Sequence, residues 1–169
     1  MKHYLIQFER ITRLHNFITS DSKFKDLSFD LRRDIIVSFF IHCFHLGDWL
    51  KASGVDAGKV DAHIHSKYEL QICRNIANGT KHLKLDPRRI SPPKIYDPLQ
   101  VSSKEEDRRY AFTIGRSFDF FAKELGGDSE YLSIAVDGRE IACNDLMKGC
   151  IEAWEEFFKR EGLDVYSKT

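Results

Sequence analysis

The chain has 169 residues, 42% of them hydrophobic and 31% charged, the composition of one soluble globular domain with a substantial core rather than of a tail or scaffold. Lysine plus arginine equals aspartate plus glutamate at 26 each, so net charge selects no partner. The charges are nevertheless unevenly placed. Between Arg74 and Lys94 six bases face one acid, leaving about +5, whereas Asp137 to Asp164 holds eight acids against four bases, about −4.

The N-terminal stretch MKHYLIQFERITRLHN carries charge from its second residue, which predicts that it is not a signal peptide. Leu5, Phe8, Ile11, Leu14 and Ile18 recur at helical spacing and predict a first helix over 5–19. A polar stretch, SDSKFKDLSFD, follows as a loop. The second helix, 31–53, is the most apolar element: Ile36, Phe39, Phe40, Cys43, Leu46 and Leu50 trace a wide stripe, which predicts a central position. Gly54 and Gly58 bracket a short turn, and a third helix is expected from Lys59 to His82 with Tyr68, Ile72 and Ile76 on one side. Two long helices joined by so short a connection predict an antiparallel hairpin.

All four prolines, at 87, 92, 93 and 98, fall in LDPRRISPPKIYDP, which reads as an extended basic connection. Beyond it Tyr110, Phe112, Ile114, Phe118 and Phe120 follow a strand pattern, read as one strand over 110–120. YLSIAV reads as a second strand, and Asp137-Gly138 predicts a hairpin into REIAC. Asn144 or Asp145 is expected to cap a last helix on which Leu146, Met147, Cys150, Ile151, Trp154, Phe157 and Phe158 form the clearest amphipathic stripe, ended by Gly162.

The predicted class is α+β, mainly α: an antiparallel helical bundle with a small antiparallel β-sheet inserted before the last helix. Residues 1–169 form a single domain, with a helical part (1–84), a Pro-rich basic connection (85–108), a β-hairpin region (109–142) and a C-terminal helix (143–162). The four cysteines, Cys43, Cys73, Cys143 and Cys150, are dispersed without a C-x-x-C pair, so neither a disulfide framework nor a zinc-thiolate site is expected. No apolar run approaches the roughly 20 residues of a membrane span. A cytoplasmic protein without membrane attachment or cofactor is the expectation.

Two polar constellations carry chemistry. His42, His45 and Asp48 recur every three residues on one edge of the second helix. A hairpin closed near residue 55 brings His63 level with Asp48 and Glu69 level with His42, a ligand set from two facing helices that suits a metal-dependent hydrolase. The same groups also serve as ordinary hydrogen-bonding partners inside a bundle. The second constellation is CRNIANGTKH, residues 73–82. Arg74, Asn78, Lys81 and His82 fall within about 100° of one another on a helical wheel, with His63, Lys67 and Gln71 on the same side. This edge suits a phosphodiester: Arg74 and Lys81 supply charge-assisted hydrogen bonds, Asn75 or Asn78 can orient a ribose or a phosphate, and His82 titrates near neutrality. Lys84, Arg88 and Arg89 in the basic connection extend it as a sequence-indifferent nucleic-acid contact. Any amphipathic helix presents such residues to solvent too.

CRNIANGTKH within a helical bundle resembles the active-site region of the HEPN superfamily, whose members include metal-independent ribonucleases of toxin and antiviral systems. Their arginine, often followed by asparagine, precedes a histidine at a spacing shorter than the seven residues that separate Arg74 and His82 here. The resemblance covers the helical part. It implies a homodimer with both motifs at the interface, His82 as general base or acid, Arg74 on the pentavalent phosphate, and Asn75 or Asn78 orienting RNA. A non-catalytic module that binds RNA or a partner protein stands beside the enzyme as an alternative.

Overall fold

The computed structural model describes residues 2–81, 111–114, 118–125, 129–136 and 139–164. The helices are α1 (His3–Ser20), α2 (Ser22–Lys25), α3 (Phe29–Ala52), α4 (Ala57–Ser66), α5 (Tyr68–Lys81) and α6 (Cys143–Arg160). Between α5 and α6 in sequence come β1 (Ala111–Ile114), β2 (Phe118–Leu125), β3 (Ser129–Val136) and β4 (Arg139–Ala142), an antiparallel sheet in the order β1-β2-β3-β4. The class is α+β, mainly α.

Local chemistry sets the ends of these helices. Asp21, Ser28 and Asp56 accept hydrogen bonds from the backbone N–H groups of Lys23, Leu31 and Lys59, capping α2, α3 and α4. Gly54 and Gly162 adopt φ of 89° and 62° just beyond α3 and α6, where the chain reverses in a left-handed conformation that suits glycine. At each end the next residue, Val55 or Leu163, donates its N–H back to the last helical turn, at Leu50 or Phe158. The start of α6 differs from expectation: its N-cap is Ala142 without a side-chain hydrogen bond, because the helix follows directly on β4, and Asp145 lies in the first turn instead.

The stripe read on the second helix is the centre of the core. Ile36, Phe39, Phe40, Cys43, Leu46 and Leu50 are all buried, between Phe8 and Ile11 of α1, Ile72 and Ile76 of α5, and Trp154 and Phe157 of α6. By length and composition alone, Phe29–Ala52 is the one helix among the described residues apolar enough to cross a membrane. Here Phe39 and Phe40 are fully buried in the bundle, and Phe29 and Phe44 are partly buried against it. The Trp154 indole N–H donates to the Cys43 carbonyl at 3.1 Å, and the Phe8 and Phe158 rings meet edge-on at 5.0 Å, tying α6 to α3 and α1.

Three stretches depart from the sequence expectation. The stretch read as a loop between the first two long helices carries a short helix, α2, with Phe24 buried, and α3 already begins at Phe29. The strand read over 110–120 is two strands, β1 and β2, that pair antiparallel with Ile114 opposite Phe118. The helix read from Lys59 to His82 is also two, because Lys67 is extended, with φ −110° and ψ 119°. Side chains take the places of the interrupted ladder: the Ser66 hydroxyl donates to the His63 carbonyl and the Gln71 amide to the His65 carbonyl, each at 2.8 Å. Local bonds of this kind compete directly with helix continuation.

Candidate functional site

The break at Lys67 creates the most distinctive polar contact of the helical part. His65, at the end of α4, is exposed, and Arg74, in the second turn of α5, is half-buried. The Arg74 Nη1 lies 2.9 Å from His65 Nε2, and His65 Nδ1 lies 2.6 Å from the Asp61 carbonyl oxygen. A guanidinium can only donate, and a carbonyl can only accept. The imidazole is therefore neutral in this contact, with its proton on Nδ1 and its Nε2 lone pair facing Arg74. Asn75 and Asn78, both half-buried, continue the same helix. Lys67 is paired with Glu156 of α6, which holds that carboxyl below its ordinary range and ties the edge to the acidic helix.

Of the residues assigned to the phosphodiester edge from sequence, Arg74, Asn75 and Asn78 share α5, and Lys81 is its last residue. His82, Lys84, Arg88 and Arg89 lie outside the described residues. His63 was placed on this edge and is not there. It is buried, with Nε2 2.8 Å from the Ala153 carbonyl and its ring 4.9 Å from Phe157 and 5.7 Å from Trp154. Burial lowers its pKa, and the nearby Arg160 and Lys67 charges act in the same direction against a hydrogen bond that raises it.

The ligand set of His42, His45, Asp48 and His63 does not assemble. His42 faces α1, where the Gln7 amide contacts its Nδ1 at 3.2 Å and donates to its carbonyl at 3.0 Å. Its pKa is lowered, by burial first and then by the charges of Arg10 and His45. Asp48 is exposed, and His63 is committed to α6. The hairpin register explains the failure: Cys43 of α3 meets Cys73 of α5, whereas closure near residue 55 would have set His42 against Glu69. Among the described residues, the one group of histidine, cysteine or carboxylate donors close enough to share an ion is Cys43, Cys73 and Cys150, in the core.

His65 escaped sequence reasoning for a geometric reason. On one continuous helix His65 and Arg74, nine residues apart, lie about 180° from each other and about 13 Å apart along the axis. Only the break brings them together, and the signal available was the serine and glutamine that flank it. No protein-family model matches the chain, and neither the curated proteins nor the solved structures contain a match to it.

Proposed function

We propose that the chain is a HEPN-like, metal-independent endoribonuclease whose phosphate-contacting edge is formed by His65, Arg74 and Asn78. The observation that carries this reading is the Arg74–His65 contact at 2.9 Å, with the imidazole proton fixed on the far nitrogen by Asp61. A phosphodiester offers Arg74 two oxygens and a full negative charge, a better partner than a neutral imidazole. As the guanidinium turns to the phosphate, the Nε2 lone pair of His65 is released beside it. That lone pair accepts the proton of a ribose 2′-hydroxyl, whose oxygen attacks phosphorus while Arg74 neutralises the phosphorane. The bond to the 5′-oxygen breaks, and the leaving oxygen takes a proton from His82, a role resting on sequence alone. Two copies of the chain would share one cleft, as the HEPN resemblance implies.

The occupied lone pair also favours a second reading, in which the edge binds RNA or a partner protein without cutting. One experiment separates the two. Purified protein is incubated with labelled single-stranded RNA in EDTA. Cleavage that falls about 100-fold or more in Arg74→Ala and in His65→Ala is expected for the enzyme. RNA that is bound through Arg74 but left intact assigns the non-catalytic module. RNA neither bound nor cut overturns both uses of this edge.

A further inference from the structure

Cys43, Cys73 and Cys150 come from three different helices, α3, α5 and α6, and their sulfurs all lie within 4.8 Å of one another, with Cys73 and Cys150 at 3.3 Å. All three side chains are fully buried. The cysteines that look dispersed along the chain are thus gathered at one point of the core, where α5 and α6 approach closely. Gly149 makes that approach possible: a Cβ there would stand 2.8 Å from the Cγ of Glu69.

We propose that Cys43, Cys73 and Cys150 form a three-sulfur binding site for a trivalent thiophilic ion of the arsenite class. Cys73 and Cys150, at 3.3 Å, already stand as close as two sulfurs held on one pyramidal trivalent centre, and Cys43, within 4.8 Å of both, completes the set by moving toward them. Soft sulfur ligands select soft ions, and among the described residues no histidine nitrogen or carboxylate oxygen joins the three sulfurs within 4.8 Å of all of them to make the fourth ligand that zinc prefers.

Charge balance then chooses among soft ions. All three cysteines are fully buried, cut off from water that could solvate a charge. Any complex that leaves net negative charge at this point incurs a large desolvation cost. Three thiolates around copper(I) carry two excess negative charges, and around zinc one. Around arsenic(III) they carry none. The exchange is also neutral throughout: As(OH)3 and three thiols give the tris-thiolate and three waters. Three As–S bonds form as three As–O and three S–H bonds break, each proton leaves on a hydroxide, and no electron is transferred. A neutral reagent can enter a closed core during ordinary breathing of the helices.

The test is titration of the reduced, folded protein with arsenite, and in separate arms with zinc and with copper(I). Native mass spectrometry reads stoichiometry, and thiol counting after rapid denaturation reads which sulfurs are occupied. One arsenic per chain with three thiols lost and a raised melting temperature is expected. Cys43→Ser, Cys73→Ser and Cys150→Ser should each abolish the three-thiol adduct, whereas Cys143→Ser, buried elsewhere, should leave it intact. Should a serine variant fail to fold, peptide mapping of the wild-type adduct identifies the three sulfurs directly. All thiols remaining free after prolonged exposure to arsenite overturns the site, and tight stoichiometric zinc or copper(I) in place of arsenite overturns the charge argument that selects its occupant.

Discussion

His63 is a titratable group sealed among rings, and its chemistry is that of a structural residue. Its Nε2–H satisfies the Ala153 carbonyl, and Arg160 stands 3.5 Å from its other nitrogen, where a second proton would have to go. In the unfolded chain a histidine takes up its proton near pH 6.5, whereas His63, His42 and His15 do so in the fold only at lower pH, burial being the first cause in each case. The unfolded state therefore binds more protons as pH falls below 6.5. Stability is complete above that value and is lost on acidification through the window down to the native values. Glu156 and Glu161, held low by Lys67 and Lys59, add a loss of the same sign, but only below their ordinary value of 4.5. Urea midpoints should accordingly fall between about pH 7.5 and about pH 5. His63→Ala should cost about 2–4 kcal/mol at neutral pH and flatten that dependence. A variant as stable as the parent at both pH values would remove His63 from this account.

At the scale of elements, legibility followed the period of the side chains. Leu146, Met147, Cys150, Ile151, Trp154, Phe157 and Phe158 were read as one stripe of the last helix; all but the partly buried Ile151 are buried in α6. The same holds for α3, whose phenylalanines could hardly be placed elsewhere. Where the chain changes direction without changing pattern, the reading failed. Ile114 and Phe118 are both apolar and an even number of residues apart, so alternation runs on through Gly115-Arg116-Ser117 although the two residues pair across strands β1 and β2. The α4–α5 break is hidden for the same reason, since Val60, Ile64, Ile72 and Ile76 keep helical spacing across it. Its cause lies in two side chains, Ser66 and Gln71, each satisfying a carbonyl at the end of α4. Ser66→Ala and Gln71→Ala should each cost about 1 kcal/mol. More tellingly, they should speed amide exchange from His65 to Gln71 while leaving α3 and α6 protected. Uniform acceleration along all helices would mean that the joint has no separate energetic identity. If the functional edge depends on this joint, the same variants should also weaken RNA contact at Arg74 without touching it.

Over the whole molecule the charge asymmetry is the property most directly readable from sequence and the one with the widest consequence. Lys2 pairs with Asp164 at 2.6 Å and Lys59 of α4 with Glu161 at 2.7 Å, so two acids just beyond α6 are neutralised. These exposed pairs are worth little in stability. Lys67, by contrast, brings Glu156 of the acidic helix beside the edge itself. Under the proposed function a nucleic acid is drawn by the basic stretch of sequence from Arg74 to Lys94, and the counterions it releases make affinity depend on salt. If Arg74, Lys81, Arg88 and Arg89 each neutralise one phosphate of a single strand, the logarithm of the binding constant should fall against that of salt with a slope near −3, since each contact contributes about −0.7. Arg88→Ala combined with Arg89→Ala should reduce the magnitude of the slope by about 1.4, and Arg74→Ala by about 0.7, with no change in sequence preference. Competition binding over a salt series reads both numbers. A slope near zero would mean that no phosphate is neutralised, and one unaltered by the double substitution would place the phosphate contacts elsewhere; either result leaves Arg74 a structural role beside His65.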